Sequence, residues 1–262
     1  RRTAENLFWL GRYLERALAG LDLLRLLLER LTDGVEAAPA LARALAGLTG
    51  QLLQPVDEAG ASPLPRLHAQ LCDAARPGSV AFDLQALAQA AEVVREQLPA
   101  EAACLLADVG APLAGVPADG AADDLRGAVQ AVLLQLLALR GALGMGMERG
   151  DGWHFLALGA CIERGQNLCG VLRGLLCGMG EPAAAAALEF ATGAPPHAAA
   201  VAPLPLLERL LLDARQPRGL LWQLQAVERH LAALPRPPGE RRPGQAERLA
   251  LEALTRLRLL DP

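Results

Sequence analysis

WLGRYLER, Trp9 to Arg16, and ALGACIER, Ala157 to Arg164, are two versions of one segment set 148 residues apart. Both place Leu-Gly and then Glu-Arg at the same offsets, and both run on to an Arg nine residues later, Arg25 and Arg173. Around the first copy, apolar residues recur at Leu7, Leu10, Leu14, Ala17, Leu21, Leu24, Leu28 and Leu31, alternating steps of three and four. That spacing predicts one long helix with a single apolar seam, about seven turns and roughly 40 Å in length. Thr3 is a suitable cap for its start and Gly34 a suitable stop. The second copy keeps the register through Phe155, Leu158, Ile162, Gly165, Cys169, Leu172, Leu176 and Met179, with Asp151 as its expected cap. Gly165 and Cys169 are smaller than Ala17 and Leu21, which gives a neighbouring helix room to come closer there.

The rest of the chain reads as more of the same. Leu and Ala dominate a composition that is 52% hydrophobic and only 3% aromatic, which favours helix over strand. Helices are expected at about 39–53, 64–75, 79–98, 100–108, 122–147, 182–192, 204–213, 217–234 and 244–260, with breaks at Pro55, Arg76-Pro77-Gly78, Pro99, Gly110 to Gly120 and Arg236 to Pro243. The expected fold is all-α, a bundle of about ten helices with an internal repeat of one long helix. It forms one domain over 1–262, divisible into halves at 1–115 and 120–262. The segment WQLQAVERHLAAL from Trp222 echoes the first copy, but Leu, Ala and Glu-Arg are common enough here for that to be coincidence.

Charge and cysteine usage exclude several classes. A net charge of -4 is too even for a generic nucleic-acid binder, which carries a basic face. Every basic side chain is Arg, none Lys. Cys72, Cys104, Cys161, Cys169 and Cys177 form no CxxC pair, and His68, His154, His197 and His230 form no HExxH, so neither a zinc site nor a disulfide framework has its spacing. Cys161, Cys169 and Cys177 are expected to be buried small residues. The uncharged stretch Gly127 to Leu139 is shorter than a membrane span, and the chain opens on Arg1 with no signal-peptide pattern. No membrane and a cytoplasmic location are therefore the expectations, with the oligomeric state open.

Glu15 and Arg16 point about 100° apart on a helix, whereas Arg12 and Arg16 share a face and Glu15 lies within reach of Arg12. Charges of this kind beside a core need partners. Glu-Arg dipeptides also occur at Glu29, Glu148, Glu208, Glu228 and Glu247, so the dipeptide has meaning only in its Gly-x-x-x-Glu-Arg context. Trp9, Trp153 and Trp222 are expected as core or half-buried anchors.

That context carries a resemblance. AENLFWLGRYLERA and GWHFLALGACIERG resemble the two hallmark helices of the alpha-E domain family, an all-helical bacterial family with a Glu-Arg motif. VREQL at Val94, MERGDGW at Met147 and the Gln216-Pro217-Arg218 turn extend the likeness over nearly the whole chain. The resemblance implies association with a circularly permuted ATP-grasp protein, fused ahead of Arg1 or separate. ATP and Mg would then belong to that partner, with no cofactor or metal in this domain and a peptide-like substrate for the pair. Ala160 departs from the pattern, because the family repeats there the Arg that Arg12 supplies in the first copy. The loop at Thr192 to Ala200 lacks polar residues usual in the family, and Cys104 stands where a Trp is usual.

Three roles follow for the candidate site, Arg12, Glu15, Arg16, Glu163 and Arg164, supported by Trp9, Arg25, Trp153 and Arg173. In the first, the domain is a non-catalytic helper of an amide ligase, and Arg12, Arg16 and Arg164 hold a substrate carboxylate or phosphate in a cleft between antiparallel motif helices. In the second, Glu15 and Glu163 form an acid/base pair. In the third, Glu15 pairs with Arg164 and Glu163 with Arg16, locking the halves. No nucleophile triad, phosphate loop or metal cluster supports a self-sufficient catalyst, so no residue is assigned a catalytic role.

Overall fold

The computed structural model describes residues 2–33, 38–49, 62–176, 181–193, 203–236 and 242–260. Within them the chain is helical throughout: α1 (Arg2–Asp33), α2 (Ala38–Thr49), α3 (Leu64–Cys72), α4 (Val80–Val93), α5 (Ala100–Ala107), α6 (Ala111–Ala114), α7 (Ala122–Gly146), α8 (Asp151–Leu176), α9 (Glu181–Thr192), α10 (Pro203–Leu212), α11 (Leu220–Ala233) and α12 (Gln245–Arg258), with a 3-10 turn at Arg95–Gln97. The two additions to the expected set are small in size. The Gly- and Pro-rich stretch after Gly110 holds a single turn, α6, and the expected helix at 79–98 tightens into the 3-10 turn before Pro99, a residue that disfavours helix immediately ahead of it.

Helix ends differ from expectation where capping was assigned by residue type alone. Thr3 lies inside α1 rather than at its cap, and Asp151 is the first residue of α8. The opening amide bond of α8 runs from His154 N–H to the Gly150 carbonyl. Gly34 and Cys177 lie outside the described residues. Ser79 does cap α4, its Oγ accepting from Phe82 N–H at 3.0 Å.

α1 is buried on more than one face. Besides the expected seam, Leu18, Leu23, Leu26 and Leu27 are buried, because α1 is flanked by α8, α4, α7 and α2 together. α8 departs in a different way. Its contact with α1 is made by Leu156, Gly159, Ala160, Glu163 and Asn167, so Phe155 and Ile162 of the expected seam are only half-buried and face an apolar groove shared with Phe8, Leu231 and Leu249.

The duplication extends well beyond one helix. α4 packs on α1 as α11 packs on α8, and α3 meets α4 as α10 meets α11. The turns leading into α4 and α11 are built alike. Asp73 Oδ1 accepts from Ala75 N–H at 3.0 Å and Asp213 Oδ1 from Arg215 N–H at 2.8 Å, and each turn then closes on Ser79 or Gly219. The helix opening at Trp222 is thus the counterpart of α4, with Trp222 where α4 has Phe82, and not a third copy of the motif.

α7 stands outside the repeat. By length and composition it could cross a membrane, yet one of its faces, including Leu125, Val129, Val132, Leu136, Leu139 and Leu143, is buried, and it packs against α1, α5 and α6. Only that face is enclosed; Leu134 and Met145 on the same helix are exposed.

Candidate functional site

The site grows from the two motif glycines. A Cβ on Gly11 would lie 2.1 Å from the Leu156 carbonyl oxygen, and a Cβ on Gly159 would lie 1.9 Å from the Phe8 carbonyl oxygen. Phe8 and Leu156 are themselves 148 residues apart, so the two contacts are one contact seen twice across a pseudo-twofold axis. Only Gly permits the backbones to come this close, as in other small-residue helix crossings. Gly165, where the sequence left room for a neighbouring helix, receives Leu220 and Gln223 of α11, while the closer α1–α8 crossing falls at Gly11 and Gly159.

The order of contacts fixes the helix directions. Gly152 meets Leu7, Gly159 meets Phe8, Glu163 meets Arg12 and Asn167 meets Glu15, so numbers rise together and α1 and α8 run parallel. The expected antiparallel arrangement is overturned. A connection of more than 100 residues lets the second copy return to the same end of the bundle before it starts.

One turn beyond the glycines the Glu-Arg pairs cross over. Arg164 Nε and Nη2 donate to Glu15 Oε2 and Oε1 at 2.7 and 2.6 Å. Arg16 Nε and Nη2 donate to Glu163 Oε1 and Oε2 at 2.8 and 3.2 Å. These are forked guanidinium–carboxylate pairs, the strongest geometry available to the two groups. Both carboxylates are 4% exposed. Arg16 and Arg164 lie nearer the surface, at 29% and 28% exposure of the side chain. For both arginines burial pulls the guanidinium pKa down, and the hydrogen bond and charge of the facing Glu outweigh it.

The surroundings of the two pairs differ. Glu163 receives a second guanidinium from the α1 face that also carries Arg16: Arg12 Nε donates to its Oε2 at 2.6 Å, and Arg12 Nη2 donates to Gln166 Oε1 at 2.5 Å. Arg12 therefore spans to α8 and does not pair with Glu15. Its guanidinium lies over Trp9, which stacks on Tyr13, while Arg16 lies over Tyr13. Behind this pair Asp83 of α4 is buried, one of its oxygens without a hydrogen-bond partner. Burial pushes the Asp83 carboxyl up to about 7, against the pull of Arg16 and with the help of Glu163. Asp83 gave no signal in the sequence, where it is one acidic residue in an Ala-rich helix.

On the other side, Ala160 supplies no second guanidinium to Glu15. Arg140, from α7, takes up part of that role with Nη1 3.8 Å from Glu15 Oε1, and Asn167 Nδ2 donates to the Glu15 carbonyl at 3.3 Å. Asp22, Arg140 and Arg218 join Glu15 and Arg164 around a cleft of about 50 Å³. Burial raises the Asp22 carboxyl pKa despite Arg218, Arg25 and Arg140. Arg140 gave no signal in the sequence because α7 lies outside the repeat, and Arg218, in the turn before α11, stands opposite Gly78 and so has no charged twin to mark it as a site residue.

The supporting residues scatter. Arg25 sits within a network with Asp22, Glu29 and Glu189, the last also bound by Arg30 at 2.7 Å. Arg173 is exposed and forms no ion pair with that network among the described residues, so the paired Arg nine residues after each motif are not equivalent. Trp153 is stacked under Arg149, and Trp9 and Trp222 are more exposed than expected, at 37% and 36%. Cys161 is buried, Cys169 only partly so, and Cys104 is exposed. The fold also brings His154 Nδ1 within 2.9 Å of His230 Nδ1; burial, then His154 and Arg229, lower the His230 pKa. Among the described residues no group of three or more His, Cys, Asp or Glu could hold a metal ion.

A duplicated helical module whose two parallel motif helices exchange Glu-Arg pairs across a glycine crossing is the class of protein these features define. The chain belongs to the Alpha-E family, described as "a predicted alpha-helical domain with a conserved ER motif", which matches residues 1–262. It is 32% identical to Uncharacterized protein Rv2567 of Mycobacterium tuberculosis and to Uncharacterized protein Mb2597 of Mycobacterium bovis, across all of this chain. The chain spans about a third of the length of these relatives, 32% of each. No solved structure matches it.

Proposed function

We propose that this domain is a non-catalytic helper of a circularly permuted ATP-grasp amide ligase, and that its Glu-Arg motif is a lock between the two repeats. The observation that carries the lock is the reciprocal exchange of Glu15 with Arg164 and Glu163 with Arg16 beside the Gly11 and Gly159 crossing. Acid/base use of Glu15 and Glu163 has little to recommend it. Such a pair works when environments push the two groups apart, whereas here each carboxylate is held by the fork of an arginine in near-equivalent geometry. The ligase association is supported by the family likeness and by relatives three times as long as the chain, which leaves room for another domain on the same polypeptide. ATP and Mg would be bound by that partner.

The test is to titrate the chain into the ATP-grasp protein encoded with it, by calorimetry and by ligase turnover. Binding at micromolar Kd or tighter, with turnover raised on addition, is the expected result. No heat of binding and unchanged turnover would overturn the partnership while leaving the lock untouched, since the lock is read from stability.

A further inference from the structure

The Glu15 face of the motif pair carries more hydrogen-bonding capacity than the protein uses. Arg164 spends Nε and Nη2 on Glu15. Arg218 spends Nη1 on the Phe190 carbonyl at 3.2 Å and lies 3.9 Å from Asp22. Arg140 approaches Glu15 only to 3.8 Å and donates no hydrogen bond among the described residues. Each of the three is partly buried, and a guanidinium presents five N–H donors in a planar fork. Half-buried donors without acceptors are costly unless water or a ligand meets them.

Charge points the same way. Three guanidiniums, Arg140, Arg164 and Arg218, face two carboxylates, Glu15 and Asp22, in one cleft. One positive charge is left over. Burial pulls the Arg140 guanidinium pKa down, and the repulsion of Arg164 and Arg218 adds to it against the pull of Glu15 and Asp22. Leu18, Ala19, Leu137, Phe190 and Ala191 make the floor apolar, and at about 50 Å³ the cleft has room for an oxyanion group and a small apolar side chain, not for a whole small molecule.

We infer that this cleft is an oxyanion site, in which Arg140 and Arg218 fork onto the carboxylate of a short peptide-like ligand whose small, apolar C-terminal side chain rests on Leu18, Leu137 and Phe190 while the rest of the ligand lies outside the cleft. The free carboxylate replaces the counter-ion that Arg140 lacks, and Arg164 stays bound to Glu15. A bare phosphate shares the oxyanion chemistry but leaves the apolar floor uncovered. The site goes beyond the ligase partnership, because it belongs to this chain alone and is measured without a partner.

The experiment is calorimetry on the isolated chain with L-alanyl-L-alanine, its C-terminal amide and inorganic phosphate as probes. The dipeptide acid is expected to bind with a Kd at or below about 1 mM. The amide and the Arg140→Ala variant should each weaken it by about tenfold or more, the loss of charge-assisted hydrogen bonds. Arg218→Lys, which keeps charge and loses the fork, should fall between. Arg95→Ala, on an exposed pair with Glu92, is the control for non-specific charge effects and should bind as the parent does. Melting curves establish that the variants are folded. Phosphate binding that Arg140→Ala abolishes, with no dipeptide binding, keeps the oxyanion site and assigns it to phosphate. Equal binding of acid and amide, binding indifferent to Arg140, or no binding of either oxyanion overturns it.

Discussion

The same eight-residue motif produces a closed face around Glu163 and an open one around Glu15. On the closed face Arg12 and Arg16 both fold onto one carboxylate, aromatic rings carry the guanidiniums, and α4 seals the back with Asp83. On the open face the second guanidinium comes from outside the repeat, at 3.8 Å, and a cleft remains. The difference follows from one substitution, Ala160 at the position equivalent to Arg12, and from the presence of α7 on one side only. Duplication supplied two equal locks, and unequal neighbours gave one of them room for something else.

The comparison assumes that the shared part is the glycine crossing, so breaking that should have the largest effect. Gly159→Ala and Gly11→Ala each place a methyl on the backbone of the partner helix, and about 3 kcal/mol should be lost in urea unfolding as the helices part. Loss under 1 kcal/mol from either would mean that α1 and α8 do not cross as closely as drawn.

Removing a carboxylate ranks next and separates the faces. Glu163→Ala leaves both Arg12 and Arg16 without their carboxylate and should cost about 2 kcal/mol. Glu15→Ala should cost about 1 kcal/mol less, because water in the cleft can hydrate Arg140 and Arg164. Equal losses would erase the distinction between closed and open faces.

The closed face should also sense pH. Burial lifts the Asp83 carboxyl from 3.8 to about 7, so the folded protein holds that proton more tightly than the unfolded chain. The stability this contributes is complete below about pH 4 and is lost as pH rises to about 7. Asp83→Asn should therefore leave stability at pH 4 nearly unchanged and raise it at pH 8 relative to the parent. A parallel pH profile for parent and variant would show that Asp83 does not carry the dependence. Smaller still, Arg12→Ala should cost about 1 kcal/mol, since Arg16 keeps Glu163 paired; a thermal melt indistinguishable from the parent's would make Arg12 dispensable and the two faces more alike.

Much of this was legible in the chain before any coordinates. Leu spacing along Leu7 to Leu31 and scarce β-branched residues specify long helices, and Gly and Pro mark their breaks. The duplicated Gly-x-x-x-Glu-Arg pattern marks where two of those helices belong together. Less was legible at the margins: Thr3 and Asp151 have the chemistry of caps, but a cap depends on the backbone conformation before the helix, which residue type alone does not set.

What the sequence determined by itself is helix, repeat and the identity of the paired side chains, because these depend on local periodicity and on residue chemistry at fixed offsets. Only the tertiary structure decided that the motif helices run parallel, that Gly11 and Gly159 rather than Gly165 make the closest approach, and that Asp83 stands behind one pair and Arg140 and Arg218 beside the other. Those facts depend on which helix returns to which neighbour over more than 100 residues of chain, and no spacing within a single helix encodes that.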